Sequence, residues 1–308
     1  MNTHILLEEP GTFDTTSLKL ESTSGHDFWY NPHFMQAIST MHEVKALLLR
    51  AYKGDELVAI LPLYERRKFS LKSLICPVGA YYQGLHTFFP PHTSRTRVLL
   101  DTCSIAADIA AFLNSRYPKI KFKLHPDNLD VRGFTWNKLK AIPLYTFVHD
   151  TGEELRLLPD EKKSLKKAHT EGMVIKEDFD PDSFFTLQSA LDKRKNHSLG
   201  VSYAGLKAFM EYLHTQNLLR QFNVIQGTEV VSTNILYYDG GKIAYSVFKA
   251  SKPEAMKRGA ATLHSVSLVD QMPQGCLQLD FCGANIPDIA RFKAALGLSL
   301  KVFYQISS

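Results

Sequence analysis

Cysteine is scarce in this sequence. Four cysteines occur in 308 residues, and none lies in a Cys-x-x-Cys pair or at another spacing typical of metal ligands. We therefore expect free thiols and no metal, which is typical of a cytoplasmic protein. Charge of one sign is also lacking, because 36 Lys and Arg against 31 Asp and Glu leave a formal net charge of +5. So mild a charge gives no general reason to expect nucleic-acid binding.

Long apolar runs are missing as well. No uninterrupted stretch of about 18 apolar residues occurs, so the sequence predicts no membrane-spanning helix. Residues 1–16 contain three acidic side chains and no positively charged start followed by an apolar segment. That pattern is not typical of a signal peptide, and we expect a cytoplasmic location.

Several catalytic signatures are absent. The chain has no Gly-x-Ser-x-Gly elbow and neither of the glycine-rich loops that hold nucleotides, which disfavours serine hydrolases, kinases and dinucleotide-dependent redox enzymes. His86 and His92 are separated by a segment with two prolines, which does not suit a metal site. What is present is a hydrophobic share of 44%, enough for a large core, and a length typical of two domains.

Two similar hairpins lie one in each half of the chain. Alternating apolar residues and turn residues predict these strands: 44–52, 57–64, 221–225, 230–238 and 242–249. A constant offset of 173 places Gly227 on Gly54 and Leu236 on Leu63, and a helical pattern precedes each hairpin at 31–41 and 203–216. An internal duplication explains this, and two unrelated hairpins that share turn physics are the alternative.

A polar stretch at 150–160 is the best candidate boundary, which divides the chain into domains 1–150 and 151–308. A short helix follows it, closed by Gly172, and one of its faces carries four lysines: Lys162, Lys163, Lys166 and Lys167. Such a face is either an ordinary solvated surface or a contact for a phosphate-bearing partner.

From residue 242 onward strands and helices alternate, and a polar loop precedes the first of these helices. The loop contains Lys257 and Arg258 and delivers Gly259, Ala260 and Ala261 at the helix start. Free backbone N–H groups and the helix dipole favour an anion at such a position. The sequence therefore predicts a phosphate seat there, although small residues at a helix start are also typical of close packing.

Two short motifs near the C-terminus carry a resemblance to a known superfamily. Asp280-Phe281-Cys282-Gly283 ends a predicted strand, and Arg291-Phe292-Lys293 lies on the next helix, before Leu296-Gly297. Together with the order of elements, these residues resemble the Gcn5-related N-acetyltransferase (GNAT) superfamily, and within it the tandem-domain branch that includes the Fem-type aminoacyltransferases. The resemblance spans nearly the whole chain.

The resemblance implies an α/β (α+β) fold with two tandem GNAT-like domains, each a central, mixed, mostly antiparallel sheet flanked by helices. It also implies that only the second domain keeps a donor site, because the first half has no comparable loop. Two positions depart from the family pattern. Met256 stands where Gln or Arg precedes the donor loop, which puts coenzyme A in doubt, and Leu296 replaces a phenylalanine.

Three residues are candidates for catalysis, the first from the resemblance and the other two from their positions on predicted strands. Lys293 matches the family's lysine at the junction of donor and acceptor, where an ammonium could neutralise an oxyanion or a phosphate; an exposed helix lysine is the alternative. Asp280 could orient the amine or take its proton, or it could cap a helix or form an ion pair. Tyr245 could donate a hydrogen bond to the leaving group, or it could simply pack in the strand.

The leading hypothesis is an N-acyltransferase. It would move an acyl or aminoacyl group from acyl-CoA or aminoacyl-tRNA, bound along residues 250–261, to an amine in the cleft between the two halves. The acceptor would be a small molecule or a cell-envelope precursor. The alternative is a non-catalytic protein of the same fold that binds an anionic ligand, a carrier protein or RNA through the lysine helix.

Overall fold

The computed structural model describes residues 3–9, 27–196 and 198–308. They form two compact units, one comprising the described residues up to Leu144 together with Val302–Ser308, the other Tyr145–Lys301. The sequence-based division at residue 150 lies at the end of a strand, Lys140–Asp150, that runs from the first unit into the second.

The first element among the described residues of the first unit is a strand, and a 3-10 helix at Asp27–Tyr30 directly precedes an α-helix. Its elements are β1 (His4–Glu8), α1 (Pro32–His42), β2 (Lys45–Lys53), β3 (Glu56–Lys68), β4 (Leu71–Ile75), β5 (His86–Thr87), α2 (Arg95–Arg116), β6 (Lys121–Lys123), α3 (Arg132–Trp136) and the first part of β7 (Lys140–Asp150). Strands β1 to β4 form an antiparallel sheet in that order, and β5 pairs with β3.

The core of the first unit is built from the apolar alternation of β2 and β3 and from one face of α2. Leu49, Leu61 and Leu63 of the sheet are fully buried, as are Ile109 and Leu113 of the helix. Side chains that alternate along a strand and recur every three to four residues along a helix meet in one layer. This is why the predicted strands of the first hairpin are found in place.

Helix α2 is long and apolar enough, by length and composition, to cross a membrane. Its best 18-residue window has a mean hydropathy of 1.4, and 33% of that window is buried. The window is not an uninterrupted apolar run, since Asp101 and Asp108 lie in the helix. Its face with Ile105, Ile109 and Leu113 packs in the core of the first unit, as expected of a core helix.

The second unit contains the longer series of elements. They are α4 (Pro159–Thr170), β8 (Val174–Glu177), α5 (Pro181–Lys195), α6 (Tyr203–Thr215), β9 (Leu219–Gln226), β10 (Glu229–Tyr237), β11 (Ile243–Ser251), α7 (Pro253–Met256), α8 (Ala260–Asp270), β12 (Gln278–Asp280), α9 (Pro287–Ala295) and β13 (Ser299–Ser307), whose end belongs to the first unit.

The sheet of the second unit has the order β7, β12, β11, β10, β9, β8. Strands β11 and β12 are parallel, and the other pairs are antiparallel. Phe184 of α5 contacts Phe248 of β11, and the next residue, Lys249, reaches Ser265 of α8. Because successive strand residues point to opposite faces, α5 and α8 flank the sheet on both sides. The predicted fold class is confirmed.

The two hairpins match in detail at the predicted offset. Gly54 and Gly227 have φ of 62° and 61° at the two turns. The register slips by one residue at Val58 between β2 and β3, and at Val231 between β9 and β10, which again differ by 173 in number. A β-bulge at the same place in both hairpins is a specific feature that turn physics alone does not require, and it favours an internal duplication.

Candidate functional site

The candidate site lies where two parallel strands of the second unit separate. Strands β11 and β12 pair only over Ile243–Tyr245 and Gln278–Asp280. Strand β12 ends there, whereas β11 continues to Ser251. Among the described strands none pairs with this edge of β11 beyond Tyr245, so its backbone groups on that side have no strand partner. We call this edge and the segments beside it, which are residues 281–283, α8 and α9, the strand fork.

A β-bulge lies at the opening of the strand fork. Ile235 of β10 pairs with Phe248, and Leu236 pairs with Ser246, so that Val247 is an extra residue. Bulges turn the side chains that follow them and are common beside active sites. Here the bulge directs Lys249 and Ser251 toward the face that α8 covers.

Lys249 is held in the strand fork by α8. Its Nζ donates to the carbonyl oxygen of Ala261 at 3.0 Å and to Oγ of Ser265 at 2.8 Å, and Ser265 in turn donates to that same carbonyl. The Nζ also lies 5.5 Å from the centre of the Phe292 ring. These contacts fix the end of a normally flexible side chain.

Burial, and to a smaller extent the positive charge of Lys293, lower the pKa of Lys249 from its ordinary value of 10.5 to about 7, with Glu161 opposing the shift. About half of these side chains are therefore neutral near pH 7. A neutral amine has two N–H groups and one lone pair. Since Ala261 and Ser265 accept both N–H groups, the lone pair is left available as a proton acceptor.

Lys293 lies on α9 and holds the loop that follows β12. Its Nζ donates to the carbonyl oxygens of Phe281 at 2.6 Å, Cys282 at 2.9 Å and Gly283. All three ammonium protons are thus used within the protein. Burial lowers the pKa of Lys293 to about 8, opposed by Cys282 and Asp280. Within the part of the chain that the structure describes, neither Lys249 nor Lys293 forms an ion pair.

The other two predicted catalytic residues are buried at the point where β11 and β12 separate. Tyr245 and Asp280 are register partners and are 0% and 1% exposed. Asp280 Oδ1 accepts hydrogen bonds from Thr146 Oγ1 at 2.5 Å and from the backbone N–H of Cys282 at 2.8 Å. Asp280 therefore shapes the same loop that Lys293 holds.

A buried polar row runs from the strand fork under α8. Ser251 and Ser232 are hydrogen bonded at 2.7 Å, and Ser232 contacts Nδ1 of His264 at 2.8 Å. Burial and the charge of Lys249 place the pKa of His264 well below its usual value, so the imidazole is neutral. His264 Nε2 and Asn234 Oδ1 have no hydrogen-bond partner among the described residues.

The predicted donor loop lies against the lysine helix, α4. Lys167 Nζ donates to the carbonyl oxygen of Lys257 at 3.2 Å, and Arg258 lies 3.5 Å from Glu171 at the end of α4. The four lysines of α4 and Lys257 are exposed. The structure thus brings together two basic segments, each of which was predicted separately from the sequence as a contact for phosphate.

The helix start at Gly259 to Ala261 is packed rather than open. Gly259 has φ of 93°, and a Cβ on it would overlap the carbonyl oxygen of Ser164 in α4. Gly259 and Ala260 are buried, and Thr262 donates to Glu161 at 2.5 Å. A carboxylate of the chain itself therefore lies at the end of α8 that was predicted to favour a phosphate.

Sequence reasoning did not select Lys249 or Glu161. Lys249 is the only charged residue of β11, Ile243–Ser251, and a charge inside an otherwise uncharged central strand was the available signal. Glu161 gave no signal, because an acidic residue in the first turn of a helix is ordinary. Among the described residues no group of three or more His, Cys, Asp or Glu could hold a metal ion.

Comparison with known proteins supports the fold. No protein-family model matches this sequence, and no curated protein matches it. Solved structures do. FemX is 11% identical, with a TM-score of 0.61, and the match covers 88% of this chain and 90% of FemX. A tandem GNAT protein from the clavulanic acid biosynthesis pathway is 10% identical, with a TM-score of 0.51 and coverage of 99% and 98%.

L-PGS from Bacillus licheniformis is a third similar structure, at 10% identity and a TM-score of 0.54, covering 88% of this chain and 86% of that protein. Identities this low show the fold and not the activity. The chain therefore has a Fem-type, GNAT-like fold, as the motifs around Asp280 and Lys293 predicted.

We expect Gly259→Ala to destabilise the second unit in the absence of any ligand. The alanine would strain the left-handed backbone and push α4 away from α8, at about 3 kcal/mol in the free energy of unfolding. Gly240→Ala is the matched control, because Gly240 has φ of 88° but nothing within 4 Å of an added Cβ, and we expect it to lose only about 1 kcal/mol. Equal losses in urea unfolding would show that the contact with α4 is unimportant.

We expect Lys249→Met to change how stability depends on pH. The pKa of Lys249 is about 7 in the folded protein and has its ordinary value of 10.5 in the unfolded chain, so the unfolded chain binds the proton of this side chain more tightly. Lys249 therefore makes the free energy of unfolding of the wild type rise between pH 7 and 10.5. Methionine removes that rise, so the stability of the variant relative to the wild type should fall across this window. Urea unfolding at pH 6.5, 8 and 9.5 measures it, with Lys257→Met as the control for losing an exposed lysine. Parallel curves for wild type and Lys249→Met would contradict the assignment.

Proposed function

We propose that this protein is an acyltransferase that moves an acyl or aminoacyl group from an activated donor to an amine, and that the reaction occurs at the strand fork of the second unit. The observation that carries the proposal is Lys249. A lysine with a lowered pKa and an unused lone pair is fixed beside an unpaired strand edge, in a fold shared with tandem GNAT proteins.

In the proposed reaction the neutral acceptor amine attacks the carbonyl carbon of the donor. A C–N bond forms, and the C–S bond of a thioester or the C–O bond of an aminoacyl ester breaks. The proton that the amine loses passes to Nζ of Lys249 and then to the leaving sulfur or oxygen. No nucleophile of the enzyme is needed, so proton transfer and oxyanion stabilisation are the two tasks of the protein.

The backbone of β11 supports the second task. Beyond Tyr245 the edge of this strand has no partner among the described strands, so its N–H groups are suited to bind the donor and the oxyanion of the tetrahedral intermediate. Lys293 would act through its positive charge and by holding the loop at 281–283, because its protons are bound to carbonyl oxygens.

Asp280 would position that loop through Thr146 and Cys282, and this role replaces direct proton removal in the proposal. Tyr245 lies beside Asp280 and stays a proposed hydrogen-bond donor to the leaving group. Its burial means that the leaving group would have to enter the strand fork to meet it.

The donor would be held by its phosphates. The exposed lysines of α4 and Lys257 form one basic surface next to the strand fork, which suits the phosphates of coenzyme A or of a transfer RNA. The similar tandem GNAT structure is described as being without AcCoA, so the proposal of a coenzyme A donor rests on the lysines of this chain. Met256 is exposed and adds no phosphate contact, so the lysines would carry this interaction.

A non-catalytic binding protein is the second candidate. Glu161 favours it, because its carboxylate lies at the start of α8, where the sequence predicted a phosphate seat. In that case the basic surface would bind an anionic ligand, a carrier protein or RNA with no transfer of an acyl group.

Donor titration tests the proposed function. A ligand that binds the folded state raises stability by about 2.7 kcal/mol at 100 times its Kd, so acetyl coenzyme A or an aminoacyl-tRNA, added separately, should raise the melting temperature. The double variant Lys162→Gln, Lys166→Gln should weaken that donor about tenfold, while Lys193→Gln, Lys195→Gln on the exposed part of α5 should not. Stabilisation by neither donor would favour the second candidate.

Once a donor is found, Lys249→Met should lower kcat by at least about 100-fold, the usual contribution of a positioned proton acceptor. In the wild type the rate should rise with pH through about 7, as Lys249 loses its proton. Lys249→Arg keeps a positive charge and cannot accept a proton near pH 7, so it should be as slow as the methionine variant. Recovery of the rate in Lys249→Arg would assign Lys249 an electrostatic role instead.

A further inference from the structure

The hairpin of β3 and β4 extends beyond the rest of its sheet. The pairing of β2 with β3 ends at Lys45 and Glu65, whereas β3 and β4 continue to pair as far as Lys68 and Leu71. Residues 66–72 are all exposed. We call residues 66–72 the hairpin tip.

The hairpin tip has no counterpart in the second unit. There the equivalent hairpin of β10 and β11 ends on the pair Tyr237 and Tyr245. By the offset of 173, Tyr237 matches Tyr64, which pairs with Ile75, and four further pairs follow it in the first unit. The tip is therefore an addition to the repeated structure, and the packing of the repeat does not require it.

The composition of the hairpin tip is amphipathic. It contains four cations and no acidic residue: Arg66, Arg67, Lys68 and Lys72. At its end the Phe69 side chain is 87% exposed, and that of Leu71 is 65% exposed. Phe69 has φ of 55°, a turn conformation that ordinarily favours glycine or asparagine. The fold gains no packing from an exposed aromatic ring at this position.

The positive charge extends onto the neighbouring strand. Ser73 of β4 forms a parallel β-bridge with Lys119 and pairs with Arg66 of β3. The side chains of these three residues therefore lie on one face of the sheet. Lys121 follows two residues after Lys119 and points the same way, since Ile120 beside it is buried. Lys119 and Lys121 are exposed. The face therefore presents cations directly behind the two apolar side chains.

We propose that the hairpin tip docks on an anionic phospholipid bilayer, with Phe69 and Leu71 entering the boundary between head groups and acyl chains and the cations contacting lipid phosphates. Apolar side chains at the end of a basic surface match the two layers of such an interface. RNA would be complementary only to the positive charge of the hairpin tip, and binding to RNA would not explain the exposed aliphatic side chain of Leu71. This proposal does not depend on the acyltransferase activity.

Vesicle binding tests it. The full chain should co-sediment with phosphatidylcholine vesicles that contain 30% phosphatidylglycerol and not with phosphatidylcholine alone, and raising NaCl should weaken binding. Phe69→Ser with Leu71→Ser should lower the partition coefficient at least tenfold. Arg66→Gln with Lys68→Gln should lower it by about 30-fold, since each charge near the surface contributes about fivefold. The substituted side chains are exposed, so both variants should keep the wild-type melting temperature.

Two controls are matched to these variants in the same unit. Trp136 is 68% exposed, and Trp136→Ser should bind vesicles as the wild type does. Lys138→Gln with Lys140→Gln removes two exposed charges elsewhere and should reduce binding far less than Arg66→Gln with Lys68→Gln.

A fluorescent probe separates insertion from surface attraction. The chain has two tryptophans, and in a Trp136→Phe background the buried Trp29 still emits. The emission added by Phe69→Trp, measured as the difference from that background, should shift to shorter wavelength when the anionic vesicles are added. No binding to these vesicles would overturn the proposal. Binding that Phe69→Ser with Leu71→Ser leaves unchanged would overturn it too, as would binding to RNA that depends only on Arg66 and Lys68 when vesicles are not bound.

Discussion

The strand fork depends on the hydrogen bonds between one ammonium group and three successive carbonyl oxygens. Lys293 binds the carbonyls of Phe281, Cys282 and Gly283, two of which belong to residues with positive φ. These contacts turn the chain away at the end of β12, so β11 continues with β10 on one side and with no partner among the described strands on the other. The edge of β11 that β12 would otherwise cover is thereby left unpaired. The residue that the family resemblance implied as catalytic thus first has a structural task.

The same ammonium also affects the pKa of its neighbour, Lys249. Both lysines are half-buried; burial is the main cause that lowers the pKa of Lys249, and the charge of Lys293 lowers it as well, a repulsion that the removal of water strengthens. The opposing carboxylate, Glu161, bonds to Thr262 and reduces the shift without abolishing it. An amine that is half neutral near pH 7 follows from this balance. A change at Lys293 or Glu161 should therefore alter the pKa of Lys249.

Much of the fold could be predicted from the sequence, because alternation in the strands, turn glycines and the motifs at Asp280 and Lys293 are local signals. The hairpins, the lysine helix and the tandem organisation follow from them. Lys249 could not be identified in this way, since its pKa depends first on burial by the folded chain and then on Lys293, which lies 44 positions later in the sequence. Gly259 was expected to let a phosphate approach, and in the structure it lets the backbone of α4 approach. A glycine in a sequence indicates that another group approaches the backbone closely, but it does not identify that group.

The repeat explains why the proposed chemistry lies in the second unit. The first hairpins of the two units share a turn and a bulge, but the next strands differ. In the first unit Tyr64 pairs with Ile75, and at the equivalent position of the second unit Tyr237 pairs with Tyr245. After Tyr245, β11 continues to Lys249, whereas β4 ends at Ile75, shortly before Pro77. Pro77 cannot donate a ladder hydrogen bond and β4 ends before it, so β4 offers no extended edge on which an equivalent of Lys249 could lie. In the first unit the additional residues lie at the turn end of the hairpin, in the hairpin tip. In the second unit they lie at the other end of the hairpin, in β11. The two copies therefore differ at opposite ends of the same hairpin.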